Sequence, residues 1–216
     1  MLRRANTVWD YSASNVPSLA ALGISATHVP LGDAPPWRIR SALATAVSAN
    51  ASSSIPVLFY GTLTRHRAAT LAAIRAGPNG QPVVHANAAT DGTFGAALDA
   101  QIAAADVVLN LRAFGDRDDE WKMPRLAKLF ANRKFVISEG TCDPGGQCEA
   151  YAGGLVFAER RDLKAAVAYY RDRPAERAII ADRGHALFAS RSMAAVLRGP
   201  VQALLDGQVD GRRGVT

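Results

Sequence analysis

The stretch "FYGTLTRHR" (59–67) places an apolar strand end, a glycine, two hydroxyls and two arginines within nine residues. A helix starting here offers unpaired N–H groups and a partial positive charge, and Arg65 and Arg67 add fork-shaped donors. Such an arrangement suits a diphosphate, with Gly61 and Thr62 in the turn and His66 as a further donor. The competing reading is a tight turn at Gly61 followed by solvated arginines. The Gly-x-Gly-x-x-Gly dinucleotide fingerprint and the Walker sequence ending in Gly-Lys-Ser/Thr are absent, which counts against nicotinamide cofactors and ATP hydrolysis.

A second chemistry-bearing stretch, "DVVLNLRAFGDRDDEWKMPRLAKLFANRKFVISEG" (106–140), runs from one apolar segment through an acidic patch into a helical pattern and another apolar segment. Asn110 and Glu139 fall at the ends of the two apolar segments. Glu139 reads either as a ligand contact or as a carboxylate capping the next turn. His85 lies inside a strand and reads as a satisfied core residue; His28 and His185 read as structural or exposed. No Ser, His and Asp set and no Cys and His set is recognisable, so no catalytic residue is nominated.

These residues need elements to hold them. Short apolar runs alternate with helical patterns. Strands are expected at 55–61, 81–88, 106–111, 134–138 and 154–158, with helices at 65–77, 93–105, 122–133, 161–171 and 174–190. Strands apolar throughout are buried on both faces, which predicts an α/β fold with a doubly wound parallel sheet. Ligands then bind beyond the carboxyl ends of the strands. Ahead of this lies "TVWDYSASNVPSLAALGISATHVPLG" (7–32), read as strand, helix and strand. The expected division is 1–37 as an amino-terminal β-α-β segment, 38–54 as helix and linker, 55–205 as the main domain and 206–216 as a flexible tail.

At 216 residues the chain has room for one well-packed domain plus an appendage, and 49% hydrophobic with 20% charged residues is an ordinary globular composition. No apolar run reaches the length of a membrane span and no signal peptide is visible, so a cytoplasmic protein is expected. On that basis Cys142 and Cys148 are expected as free thiols, with a local disulfide or redox pair as the alternative. The net charge of +6 and pI near 9.7 favour anionic partners. The basic residues are scattered, which suits a phosphate-bearing small ligand better than nucleic acid, with a generically basic surface as an equal alternative.

Six segments in order, "VWDYSASN", "THVPLG", "VLFYGTLTRHR", "VVLNL", the Arg125 helix ending "LFANRKFVISE", and "GLVFA", resemble the carboxyl-terminal, donor-binding half of a GT-B fold glycosyltransferase. The group it is similar to is that of the bacterial spore-maturation CgeB-like proteins and the glycosyltransferase family 1 domain. The resemblance covers about residues 7 to 190. It implies a Rossmann-like domain that binds a nucleoside-diphosphate sugar, with UDP or GDP as the nucleotide, and transfers the sugar to an acceptor. In such enzymes a preceding domain binds the acceptor, so the resemblance implies that this half is missing, truncated, or supplied by a second chain or a homodimer, with 7–32 corresponding to its end. It also implies a donor-binding set of Gly61, Thr62, Arg65, Arg67, Asn110, Glu120, Lys122, Arg125 and Glu139.

Relatives carry a Glu, two residues and an Arg before "LLANRK", that Glu resembling the carboxylate which grips the ribose; here Lys122 stands in its place and Glu120 lies two residues earlier. An ammonium only donates, so the contact changes in kind. Asp116-Arg117-Asp118 spells the Asp-x-Asp by which GT-A glycosyltransferases hold a divalent metal. GT-B enzymes normally need none, so no metal and no cofactor is expected and the acidic patch reads as a solvated loop. The competing function is a catalytically inactive nucleotide-binding or interaction domain derived from such an enzyme.

Overall fold

The structure is a computed structural model that describes residues 7–40, 54–77, 80–87, 92–115, 123–140 and 148–213. The chain divides into two compact units, residues 35–188 and residues 1–34 with 189–216.

The larger unit is built on five parallel strands. They are β3 (Ile55–Tyr60), β4 (Val84–Ala86), β5 (Ala105–Asn110), β6 (Val136–Glu139) and β7 (Val156–Ala158), in the order β4-β3-β5-β6-β7. Register pairs Leu58 with Val108 and Val108 with Val136. Both faces are covered, as the all-apolar strands predicted. On one face Val57, Phe59, Val107, Leu109 and Ile137 share a buried cluster with Leu71 and Ile74 of α2 (Arg65–Arg75) and with Leu163 and Val167 of α5 (Leu163–Arg171). Leu58, Val108 and Val136 alternate to the other face and are fully buried too. Helices α3 (Ala96–Ala104) and α4 (Met123–Ala131) bury Ile102, Leu126, Leu129 and Phe130. Each such side chain contributes about 1.5–3 kcal/mol of transfer free energy, so the sheet edge that carries the site rests on a rigid base.

Asn132, just past α4, ties residues 37–39 to this base. Its amide nitrogen donates to the carbonyls of Trp37 (2.8 Å) and Lys128 (2.7 Å), and its amide oxygen accepts from the Ile39 N–H (2.8 Å). The helix expected within 38–51 lies largely outside the described residues. Two residues further, Lys134 donates to the Ala103 carbonyl at 2.9 Å. Burial pushes its ammonium down to about 8, against the opposing pull of Asp106. Between that value and the ordinary 10.5 the unfolded chain binds more protons than the folded one, so stability climbs with pH across this window. In denaturant titrations at pH 7 to 10.5, the stability of the wild type relative to Lys134→Met is expected to rise by up to ~2–3 kcal/mol; a pH-independent difference would refute the assignment.

The smaller unit opens with β1 (Trp9–Asp10), α1 (Asn15–Ala21) and β2 (Thr27–His28), the strand-helix-strand expected from the sequence, with the two strands parallel. Asp10 holds the turn, its carboxylate accepting from the Ser12 N–H and the Asn15 amide. Within this unit a bridge joins Asp33 to Ser192. After α6 (Pro174–Ala189) comes a helix that the sequence reading missed, α7 (Met193–Arg213). The helix continues through 206–213, within the stretch expected as a flexible tail. Gly199 and Pro200 disguised it: proline lacks an N–H and normally interrupts a helical pattern, yet here Pro200 lies inside the helix.

Candidate functional site

The order β4-β3-β5-β6-β7 places the topological switch between β3 and β5, where the chain reverses direction across the sheet and the strand ends open a crevice. The residues there come from the β3 to α2 turn, the exit of β5, the exit of β6 and helix α4.

In the turn, Gly61 has φ +126°, a conformation that favours glycine. Thr64 caps α2, its hydroxyl oxygen accepting from the Arg67 N–H at 3.3 Å while its O–H donates to the Ala113 carbonyl at 2.6 Å. Arg65 is exposed beside it. Arg67 is 6% exposed and points inward. Its Nε donates to the carbonyls of Leu111 and Arg112 (both 3.2 Å), Nη2 to Leu111 (3.0 Å) and Nη1 to Thr62 (2.9 Å), and its guanidinium lies 5.5 Å from the Phe59 ring centre. Expected beside Arg65 as a diphosphate ligand, Arg67 instead braces the turn against the exit of β5.

Arg125, on α4, reaches the same turn from the other side. Its guanidinium sits over the rings of Tyr60 (5.2 Å) and Phe59 (5.6 Å), and a Cβ on Gly61 would lie 2.8 Å from its Nη2. Nη1 donates to the side-chain oxygen of Asn110 at 3.1 Å, and Asn110 in turn donates to the Ser138 hydroxyl at 3.0 Å. Burial pushes the Tyr60 phenol well above its ordinary value, with the Arg125 cation opposing. His85 Nε2 lies 2.9 Å from the Gly61 carbonyl. A carbonyl only accepts, so this nitrogen carries the proton, and the ring stacks on Phe59 as a satisfied core histidine would.

Glu139 closes the third side. Its side chain is 4% exposed; Oε1 lies 2.6 Å from His66 Nε2 and Oε2 accepts the Arg112 N–H at 3.0 Å. The Gly140 N–H donates to the Ala158 carbonyl at 2.9 Å; residues 141–147 lie outside the described residues. The carboxylate therefore links α2 to the exit of β5. The other ring nitrogen of His66 lies beside Gly115, where an added Cβ would stand 3.0 Å away.

Two cavities open beside this group. One, of about 800 Å³, is lined by Thr64, Arg65, His66, Phe114 and Arg160 among others. The other, of about 910 Å³, is lined by His66, Arg112, Glu139, Glu159, Arg160 and Lys164 among others. The expected residues thus fall into two groups: Arg65 and Glu139 line cavities, whereas Gly61, Asn110 and Arg125 form a packed network at the switch. Glu120 and Lys122, along with Asp116, Asp118 and Trp121, lie outside the described residues. Among the described residues no cluster of three His, Cys, Asp or Glu could hold a metal ion, and no helix is long and apolar enough to cross a membrane.

Sequence reasoning missed Arg112, Glu159, Arg160 and Lys164. Arg112 and Arg160 follow strand ends, which was the available signal. The bond from His66 to Glu139 spans 73 residues and leaves no local trace. The expectation of two free thiols is also corrected: Cys148 is disulfide-bonded and buried. That expectation rested on an assumed compartment, whereas the physical constraint is loop closure, and the short span to Cys142, the chain's other cysteine, closes at small entropic cost. Cys142 itself lies outside the described residues.

No protein-family model matches the sequence, and no curated protein matches it. Solved structures do. HepE from Anabaena, in complex with UDP and glucose, superposes with a TM-score of 0.65 at 12% identity, covering 94% of this chain and 64% of that one. Sucrose-phosphate synthase from Thermosynechococcus elongatus superposes with a TM-score of 0.57 at 16% identity, covering 98% and 59%. The chain therefore spans about three fifths of the length of these solved proteins. At such identities the likeness speaks for the fold alone, and the fold of this chain is GT-B-like, its parallel sheet matching a Rossmann-like domain of that fold.

Proposed function

We propose that the chain binds a nucleoside-diphosphate sugar at the carboxyl edge of its five-stranded sheet and serves glycosyl transfer to an acceptor. The observation that carries the reading is the start of α2, where Thr64, the exposed Arg65 and His66 line a cavity with Arg160, in a fold whose solved neighbour holds UDP and glucose. Glycosyl transfer breaks the bond between the anomeric carbon and the diphosphate oxygen, so negative charge builds on the leaving group. In this reading that charge is met by first-turn N–H groups of α2 and by Arg65 and Arg160, which line the same cavity, and donors held in advance stabilise it without reorganisation. Arg67 acts through the loop by holding Thr62 in place. Arg125 and Asn110 fix the shape of the turn beside Gly61.

In this proposal the donor carries UDP or GDP, no metal takes part, and a second chain or a second copy supplies the acceptor side. A cytoplasmic setting remains part of it, with the Cys148 disulfide as the observation that pulls the other way. The second reading, an inactive nucleotide-binding or interaction domain, draws on Lys122 standing where a carboxylate would grip the ribose.

Calorimetric titration with UDP, GDP and their sugar conjugates, with and without Mg²⁺, tests the donor site. Saturable binding of one nucleotide is expected, and Arg65→Ala should weaken it by roughly 5- to 20-fold, the scale of one partly solvated charge-assisted contact. Unchanged affinity in the variant would remove the phosphate assignment, and binding without sugar release in the presence of acceptors would favour the inactive reading.

A further inference from the structure

The cavity of about 910 Å³ carries a net positive lining apart from Arg65, which stands at the neighbouring space by the start of α2. Arg112, Arg160, Arg161 and Lys164 face two carboxylates, and one of those, Glu139, is bonded to His66. Arg112 is also held in place. Gly140 has φ +96°, and a Cβ there would lie 2.6 to 2.8 Å from Arg112 Nη2, Cζ and Nε, so the guanidinium rests directly on the glycine backbone. Among the described residues nothing accepts from that guanidinium. The cavity shares His66, Phe114 and Arg160 with the space that opens at Thr64 and Arg65. A ligand anchored by its diphosphate at the start of α2 can therefore extend into it.

Resting on the donor-site reading, we propose that the sugar of the donor carries a carboxylate, received by Arg112 with Arg160 beside it. A planar guanidinium fork matches a carboxylate through two parallel N–H···O bonds, and Arg112 is pre-positioned for this by its seat on Gly140. Lys164, which also donates to the Ala76 carbonyl, adds charge at the far side without a fork. A neutral hexose would leave the net positive charge of the cavity, four cations against Glu139 and Glu159, without a counter-charge.

The test is calorimetric comparison of UDP-glucuronate with UDP-glucose, and of GDP-mannuronate with GDP-mannose, at fixed ionic strength. The acidic conjugate of the preferred nucleotide is expected to bind about tenfold tighter than the neutral one, and Arg112→Gln should bring that ratio close to one. Arg160→Gln should reduce the ratio partially, and unchanged melting of both variants shows that the fold survives. Equal affinity for acidic and neutral conjugates in the wild type overturns the inference while leaving the donor reading standing, as does an acid preference that survives Arg112→Gln. Absence of binding by every nucleotide and conjugate overturns both.

Discussion

Arg67→Met is expected to lower the unfolding free energy by about 3 kcal/mol and the melting midpoint by roughly 6–12 °C. The side chain is buried, and its guanidinium joins three backbone carbonyls, those of Thr62, Leu111 and Arg112, from two different segments. Methionine fills much of the volume and stacks acceptably on Phe59, so the loss measures the polar link and not a cavity. The carbonyls left behind sit where water reaches them poorly, and each buried unsatisfied group costs about 1–3 kcal/mol before relaxation. Arg67→Lys should recover only a small part, because one ammonium cannot reproduce a planar fork across three acceptors. Urea denaturation with an unchanged m-value isolates the stability term. A loss below about 0.5 kcal/mol for the Met variant, within the range of ordinary surface changes, would show that the clamp is unimportant.

Gly61→Val is expected to act on both stability and ligand binding. At φ +126° any side chain is strained and a β-branched one most of all. The new Cβ would also lie 2.8 Å from Arg125 Nη2, so the guanidinium has to leave its place over Tyr60 and release Asn110. Backbone strain of about 1–3 kcal/mol and the broken contacts together put the loss near 3 kcal/mol. Because Gly61 opens the turn to Thr64, nucleotide affinity should fall by at least tenfold in the folded fraction. Gly61→Ala shares the backbone strain with a smaller intrusion and should lie between. Calorimetry below the melting transition of each variant separates the two effects, and full affinity in Gly61→Val would dissociate the turn from the ligand site.

Both residues were visible in the sequence, but only one in its actual role. Gly61 followed an apolar run and preceded a capped helix, so its turn was readable from local chemistry. Arg67 was readable as a cation next to Arg65, but a helix places side chains about 100° apart per residue, and two positions along it the guanidinium points inward. The strands were legible because Val57, Leu58 and Phe59 or Val107, Val108 and Leu109 are apolar on both faces, which only a covered sheet tolerates. The observed strands are shorter than the apolar runs, as at Val84–Ala86, since pairing needs a neighbour as well as hydrophobicity. Glu139 was legible as a strand-end residue, but its partners His66 and Arg112 are set by the tertiary approach of three elements, which no window of sequence contains.

The strand order also imposes a timetable. β3 pairs on one side with the three residues of β4 and on the other with Ala105–Asn110, encoded some fifty residues after it. At a synthesis rate of about 5–20 residues per second, the nascent chain waits roughly 3–10 s between making β3 and making the partner for its second edge. Until Ala105–Asn110 is made, the edge of Val57, Leu58 and Phe59 that it will cover has no partner strand, and unpaired N–H and C=O groups there can pair with another extended chain. The finished sheet covers Val57, Leu58 and Phe59 completely, yet during synthesis the same residues must wait for their second partner strand.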